Sequence, residues 1–211
     1  MKWKDFKDKT NKFLIIDTEI VQALEKREFS ARGNIYYWLK NGKLISLKRG
    51  MYLDREKYNI ESNKEAFLEY VAGKLLEPSY LSLEYVMSKY QLLSEPVYTI
   101  TSVTTSTTRL VKNDLGYFRY YSITPQLFNG YKIKYFCGAP IKEAEKEKAV
   151  FDFLYLRFVG SGNINEKVIE ELRINWDNIN KKEWKKVKSF GMLSKSSRVK
   201  KVLCLIEKMY Y

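Results

Sequence analysis

Ser30-Ala31-Arg32-Gly33-Asn34-Ile35-Tyr36-Tyr37-Trp38-Leu39-Lys40-Asn41-Gly42, followed by Lys43-Leu44-Ile45-Ser46-Leu47-Lys48-Arg49-Gly50-Met51-Tyr52-Leu53, is the stretch on which the fold turns. Ser30 is a favoured N-cap residue, so a helix is expected from Ala31 to about Asn41, with Gly42 supplying the left-handed residue that closes it. At about 100° per residue, Ile35, Trp38 and Leu39 share one face, which must turn to the core. Gly33, Tyr36, Tyr37 and Lys40 occupy the opposite face, flanked by Arg32 and Asn34. Lys43–Leu47 then predicts a strand, Lys48-Arg49-Gly50 a turn and Met51–Leu53 the returning strand.

Working outward toward the amino terminus, Trp3, Phe6, Phe13 and Leu14 stand among lysines and aspartates, which predicts an amphipathic helix over residues 2–13. Asp17 can N-cap a short helix carrying Glu19, Ile20, Val21 and Leu24, and a brief polar link leads to Ser30. A first helix, a helix-turn-helix and a basic-tipped hairpin make a winged helix-turn-helix domain over residues 1–57. Its second helix would present stacking groups and donors to a major groove, and Lys48-Arg49 would grip the backbone or enter a minor groove. The candidate DNA-binding residues are therefore Ser30, Arg32, Gly33, Asn34, Tyr36, Tyr37, Lys40, Lys48 and Arg49. Gly33 would let the helix come close to the duplex. Winged helices also serve as protein-docking modules, so that alternative stays open.

Beyond a linker at Tyr58–Glu61, the pattern predicts an α+β domain over residues 62–211. Ala66, Phe67, Tyr70, Val71 and Leu75 recur at helical spacing until Pro78, and a second helix runs through Leu83, Val86 and Tyr90. Residues 97–103, 117–121 and 131–136 are β-branched and aromatic, which predicts one mainly antiparallel sheet. Helical spacing returns over residues 144–158, 167–172, 182–190 and 197–209.

The chain has 211 residues, 38 Lys and Arg against 25 Asp and Glu, and a net charge of +13. Such a balance points to a polyanionic partner. Residues 1–57 hold 14 basic and 8 acidic side chains, residues 58–180 hold 14 and 15, and residues 181–211 hold 10 and 2. The excess thus sits at the two ends, and Lys182, Lys185, Lys186, Arg198, Lys200 and Lys201 form a possible secondary basic surface on amphipathic helices. The chain contains no histidine, which excludes Ser-His-Asp and Cys-His triads and nearly every catalytic zinc arrangement. Cys137 and Cys204 have no CxxC spacing and are expected to be buried small hydrophobes. With no signal sequence and no membrane span in the pattern, the expected location is cytoplasmic, with no membrane partner.

Other chemistry is thinner. Glu143, Glu145, Glu147, Asp152 and Asp114 could assemble a magnesium site, but the interleaved Lys142, Lys146 and Lys148 suggest an exposed, ion-paired helix start. Asp152, set in an apolar stretch, is expected to hold a buried polar contact. The Thr101–Thr108 tract with Arg109 could meet phosphate, but reads more simply as a strand running into a turn. Gly160-Ser161-Gly162 lacks the Lys and hydroxyl of a phosphate loop. No catalytic residue, metal or cofactor is assigned. A metal-dependent nucleic-acid enzyme remains the alternative to a DNA-binding role.

Several motifs in order carry a family resemblance. They are Leu47-Lys48-Arg49-Gly50-Met51-Tyr52, Pro78-Ser79-Tyr80-Leu81-Ser82-Leu83-Glu84-Tyr85 and Tyr98-Thr99-Ile100-Thr101-Ser102-Val103-Thr104-Thr105. To these add Gly116-Tyr117-Phe118 through Ile123-Thr124-Pro125-Gln126-Leu127-Phe128 with Gly130-Tyr131, and Glu147-Lys148-Ala149 with Asp152, Leu154, Tyr155 and Leu156. Together they resemble the AbiEi family of antitoxins and transcriptional regulators over nearly the whole chain. One departure is Glu145-Lys146, where a Ser-Pro pair commonly precedes the EKA segment. The resemblance implies an antitoxin of a type IV toxin-antitoxin, or abortive-infection, system. Such a protein represses its own operon by binding double-stranded DNA repeats through the winged helix. Its carboxy-terminal domain counters a nucleotidyltransferase-like toxin, with no stable complex required.

Overall fold

The computed structural model describes all residues except Lys26 and Arg27, with Glu28 described by its backbone alone. The polar link expected between the two helices of the helix-turn-helix falls on Lys26 and Arg27 and lies outside the described residues. The chain is α+β and divides into two compact units, one of Met1–Val71 with Val111–Gly116, the other of Ala72–Leu110 with Tyr117–Tyr211.

The first unit begins with α1 (Trp3–Thr10), β1 (Ile16–Asp17), α2 (Thr18–Leu24) and α3 (Glu28–Lys40). The hairpin β2 (Leu44–Lys48) and β3 (Met51–Asp54) follows, then α4 (Arg55–Ile60). Asp17 caps α2 as expected, its carboxylate accepting from the Ile20 amide at 2.8 Å. Gly42 closes α3 at φ +65°; its amide donates to the Leu39 carbonyl at 3.0 Å and the Lys43 amide to the Trp38 carbonyl at 2.8 Å. These are the paired bonds of a Schellman ending, which glycine adopts without a Cβ penalty. The strands form a sheet of order β1-β3-β2, with Ile16 opposite Tyr52 and Ile45 opposite Leu53.

Phe6, Ile16, Val21, Ala31, Ile35, Trp38 and Leu44 make the core of this unit. The Trp38 ring lies 4.4 Å from Phe6 and 5.2 Å edge-on to Trp3, so α1 and α3 are fastened by aromatic contacts. Two expectations need correction. Ser30 is not the N-cap of α3, because the helix starts at Glu28 and Ser30 lies in its first turn. Burial of Ala31, Ile35 and Trp38 fixes this helix, and packing overrides the preference of one capping residue. Of the residues Tyr58–Glu61 read as a linker, Tyr58 to Ile60 continue α4 and Glu61 is its C-cap, since Asp54 accepts from the Glu56 and Lys57 amides and starts a helical turn there.

Helix α5 (Lys64–Leu75) follows, its residues up to Val71 belonging to the first unit and those from Ala72 to the second. The second unit then contains β4 (Ser79–Leu81), α6 (Leu83–Lys89), β5 (Ile100–Thr104), β6 (Arg109–Asn113, whose last residues belong to the first unit) and β7 (Gly116–Ser122). It continues with β8 (Tyr131–Phe136), β9 (Ala139–Ala144), α7 (Lys146–Phe158), α8 (Glu166–Glu170), α9 (Lys181–Leu193) and α10 (Ser197–Tyr210). The sheet order is β6-β7-β5-β4-β9-β8. The expected mainly antiparallel sheet also carries parallel pairings: β4 pairs antiparallel with β5, and β8 with β9, while β5–β7 and β4–β9 are parallel. The strands that are close in sequence do not always neighbour each other, so local alternation could not supply the pairing.

The helices of this unit pack as their apolar stripes require. Trp184, Val187, Val199, Val202, Leu203 and Ile206 are buried along α9 and α10. Asn180 and Glu183 form a capping box at the start of α9. Neither cysteine is a buried hydrophobe; Cys137 and Cys204 are both exposed free thiols. Cys137 sits in the β8–β9 turn and Cys204 on the outer face of α10.

Candidate nucleic-acid interface

The apolar and polar faces of α3 separate as the sequence predicts. Ala31, Ile35 and Trp38 are buried and Leu39 is half-buried, while Arg32, Gly33, Tyr36, Tyr37 and Lys40 are exposed. Tyr36 and Tyr37 keep 69 % and 57 % of their surface open. Asn34 is half-buried and turned toward Glu25, whose carboxylate also takes the terminal ammonium of Met1 at 3.0 Å. Asn34 therefore belongs to the flank, and Ser30 is likewise half-buried.

Sequence reasoning missed Phe29. Because α3 starts three residues early, Phe29 falls in its first turn and is 90 % exposed, the most open large apolar side chain described. Its offsets to Gly33, Tyr36 and Lys40 are four, seven and eleven residues, so the four line one stripe. The signal available in the sequence was this spacing, hidden by placing the helix start at Ala31. Among the described residues the surroundings of Gly33 are empty: a Cβ there would meet nothing within 4 Å.

The hairpin tip completes the surface of this unit. Lys48 and Arg49 are exposed, with Arg49-Gly50 forming the two-residue turn between β2 and β3. Gly50 has φ +77°, and its carbonyl accepts from the Thr18 amide at 2.9 Å. The tip is thereby tied to the first residue of α2. Asn113 adds a second tie within the unit, donating its side-chain amide to the Leu47 carbonyl at 3.0 Å. Thr18 and Asn113 thus hold the hairpin that carries the basic pair.

In the second unit the six basic residues differ in what occupies them. Lys182, Lys185, Lys200 and Lys201 are exposed. Lys186 pairs with Glu147 at 3.0 Å. Arg198 is half-buried and donates to the Phe158 and Gly162 carbonyls, so its guanidinium caps the end of α7 and the loop beyond it. Arg198, Lys200, Lys201 and Lys208 wall a hollow of about 680 Å³ beside Cys204.

The acidic residues considered for a metal are engaged separately. Glu143 is buried on β9, not exposed at a helix start, and accepts from Lys89 at 2.9 Å and Lys134 at 2.6 Å. Burial alone would raise its carboxyl, but the two ammonium groups outweigh that and hold it below its ordinary value. Glu147 is buried against Lys186, and Asp114 pairs with Arg55 at 3.3 Å. Glu145 alone of the three glutamates is exposed, at the N-cap position of α7. Among the described residues no three His, Cys, Asp or Glu side chains gather where they could hold a metal ion.

Asp152 holds the buried polar contact its apolar neighbours suggested. Fully buried, it accepts from Tyr80 at 2.9 Å, Ser82 at 2.8 Å and the Lys148 ammonium. Lys148 is also fully buried, with Phe151 and Phe190 rings 5.1 and 5.4 Å from its nitrogen. Desolvation pushes the Asp152 carboxyl up and the Lys148 ammonium down, against the attraction between them. The threonine tract is likewise absorbed: Thr101 donates to the Ser82 carbonyl at 2.7 Å and Thr104 to the Pro78 carbonyl at 2.7 Å. Among the described residues no helix is long and apolar enough to cross a membrane.

Compared with known proteins, the chain matches no family model and no curated protein.

Proposed function

We propose that the first unit is a winged helix-turn-helix that binds double-stranded DNA, with α3 in the major groove and the β2–β3 tip on the backbone. The observation that carries this reading is Gly33. A glycine inside an exposed helix costs about 1 kcal/mol against alanine, and no neighbour among the described residues needs the space. A close approach by an external surface gives that position a use. Around it stand flat rings at Phe29, Tyr36 and Tyr37 and cations at Arg32 and Lys40, which suit base edges and phosphates.

In its full form the proposal follows the AbiEi resemblance. The chain is a DNA-binding antitoxin and autorepressor of a type IV toxin-antitoxin operon, and its carboxy-terminal part counters a nucleotidyltransferase-like toxin. The net charge of +13 supports a polyanionic partner. The test is a titration of the promoter duplex of its own operon against a scrambled duplex, by fluorescence anisotropy over a range of salt. Tighter binding to the promoter, weakening with salt by about 0.9 log units per log unit for each phosphate contacted, supports the reading. Equal affinity for both duplexes removes the repressor role, and loss of toxin resistance in cells lacking the chain tests the antitoxin role separately.

A further inference from the structure

Glu84, the second residue of α6, has its Oε2 buried with no hydrogen-bond partner among the described residues. Leaving a buried carboxylate oxygen without a donor is costly, so the atom asks for a partner the chain does not supply. The residue before it, Leu83, is buried in the left-handed region at φ 62°. A branched side chain stays there only where its surroundings enforce it, as they do at ligand clamps.

Three contiguous hollows of the second unit, of about 490, 520 and 400 Å³, share Glu84 as a wall. Arg157 and Glu171 both line the 490 Å³ hollow, and Arg173, which lines the 400 Å³ hollow, pairs with Glu95 at 3.1 Å. The 520 Å³ hollow differs in its aromatic walls; its own charges, Arg119 and Glu84, also attract one another. Its walls carry Glu84, Arg119 and the rings of Tyr98, Tyr117 and Tyr121. Tyr98 is 87 % exposed, and the Arg119 guanidinium lies 6.0 Å over the Tyr121 ring while donating to its hydroxyl at 3.4 Å.

The ligand chemistry follows from these groups. Exposed rings favour a flat partner, Arg119 favours an anion, and the Glu84 carboxylate favours adjacent N–H donors. An arginine side chain of a partner would satisfy the carboxylate and rings but would be repelled by Arg119. Among nucleobases, guanine presents two neighbouring donors, N1–H and the 2-amino group. Adenine and cytosine set a lone pair beside their amino group, and uracil flanks its single N–H with two carbonyls. We propose that this cleft binds a guanine nucleotide, with the base stacked on the tyrosines, its N–H edge on Glu84 and its phosphate toward Arg119. The volume suits one nucleotide. Free nucleotide and a guanine within a single strand share this chemistry.

Calorimetric titration of the full chain with GMP, AMP, CMP and UMP, and with single strands containing one guanine or none, tests it. Saturable binding of GMP or of the guanine-containing strand, with the other bases about tenfold weaker, supports the site, and the arm that binds identifies the source. Glu84→Gln removes the preference for guanine, because the amide places a donor where guanine needs an acceptor. Tyr98→Ala, at a side chain too exposed to affect folding, weakens all bases alike. Three results overturn the proposal: no saturable binding up to about 1 mM, equal binding of all four bases, or a guanine preference unchanged in Glu84→Gln. The site lies wholly in the second unit, so titrating the promoter duplex with Glu84→Gln separates its failure from failure of the DNA-binding reading.

Discussion

Thr18 and Gly50 are joined twice, the Thr18 amide and hydroxyl both donating to the Gly50 carbonyl, at 2.9 and 3.1 Å. The contact is so close that a Cβ at Gly50 would come within 2.7 Å of the Thr18 hydroxyl oxygen. Gly50→Ala therefore meets two penalties, the left-handed backbone at φ +77° and the clash. A loss of about 2 kcal/mol is expected, of which the backbone accounts for about 1 or more. Urea unfolding checks it, and Thr18→Ala in the same background should recover part of the loss by removing the hydroxyl.

The buried pair of Lys148 and Asp152 predicts an asymmetry between single and double changes. Lys148→Met leaves the Asp152 carboxylate without its cation and should cost about 3 kcal/mol or more. Changing Asp152→Asn as well should recover much of that loss, because the remaining amide oxygen can still accept from Tyr80 or Ser82. Additive losses in a double-mutant cycle would show that the two side chains do not act as a pair.

Glu143 predicts a pH dependence whose sign is fixed. Its folded carboxyl lies below the ordinary value of 4.5, so the unfolded chain takes up the proton first as pH falls. Its contribution is present in full above that value and is lost as pH drops through the folded one. The stability gap between wild type and Glu143→Gln should accordingly be widest near neutral pH and shrink in acid. Thermal melts from pH 6 to about pH 3 measure it.

The extent to which these features are legible in the sequence varies with their range. The two faces of α3 are visible because a helix places neighbours by local spacing, and Asp17 and Gly42 act within a few residues of themselves. β4 is not visible: Ser79–Leu81 is too short for a period of two to show. β9 is hidden differently, because Lys142 and Glu143 look like a solvated helix start. Glu143 becomes buried only when Lys89 and Lys134 arrive from other elements. Phe29 is lost to an assumed cap, and Glu84 carries no local signal at all, since its character lies in what its oxygen lacks.

On the surface proposed to bind DNA, the roles of helix and hairpin predict different kinds of loss. Arg32→Ala or Tyr37→Ala should reduce affinity for the promoter more than for a scrambled duplex. Lys48→Ala or Arg49→Ala should weaken both about equally and make the salt dependence shallower by about 1 unit per lost phosphate contact. Phe29→Ala belongs with the first pair, because its ring shares the Gly33 stripe. Anisotropy titrations on both duplexes distinguish the two patterns.

Gly33→Leu provides the most direct measurement, because it separates folding from binding at one position. The site is open among the described residues, and leucine is the better helix former by about 0.8 kcal/mol. The expected result is a chain at least as stable as wild type that binds its promoter duplex about tenfold more weakly or worse, the side chain holding α3 off the groove. A variant equally stable and equally tight on that duplex would contradict the account, since the exposed face of α3 would then not be where DNA lies.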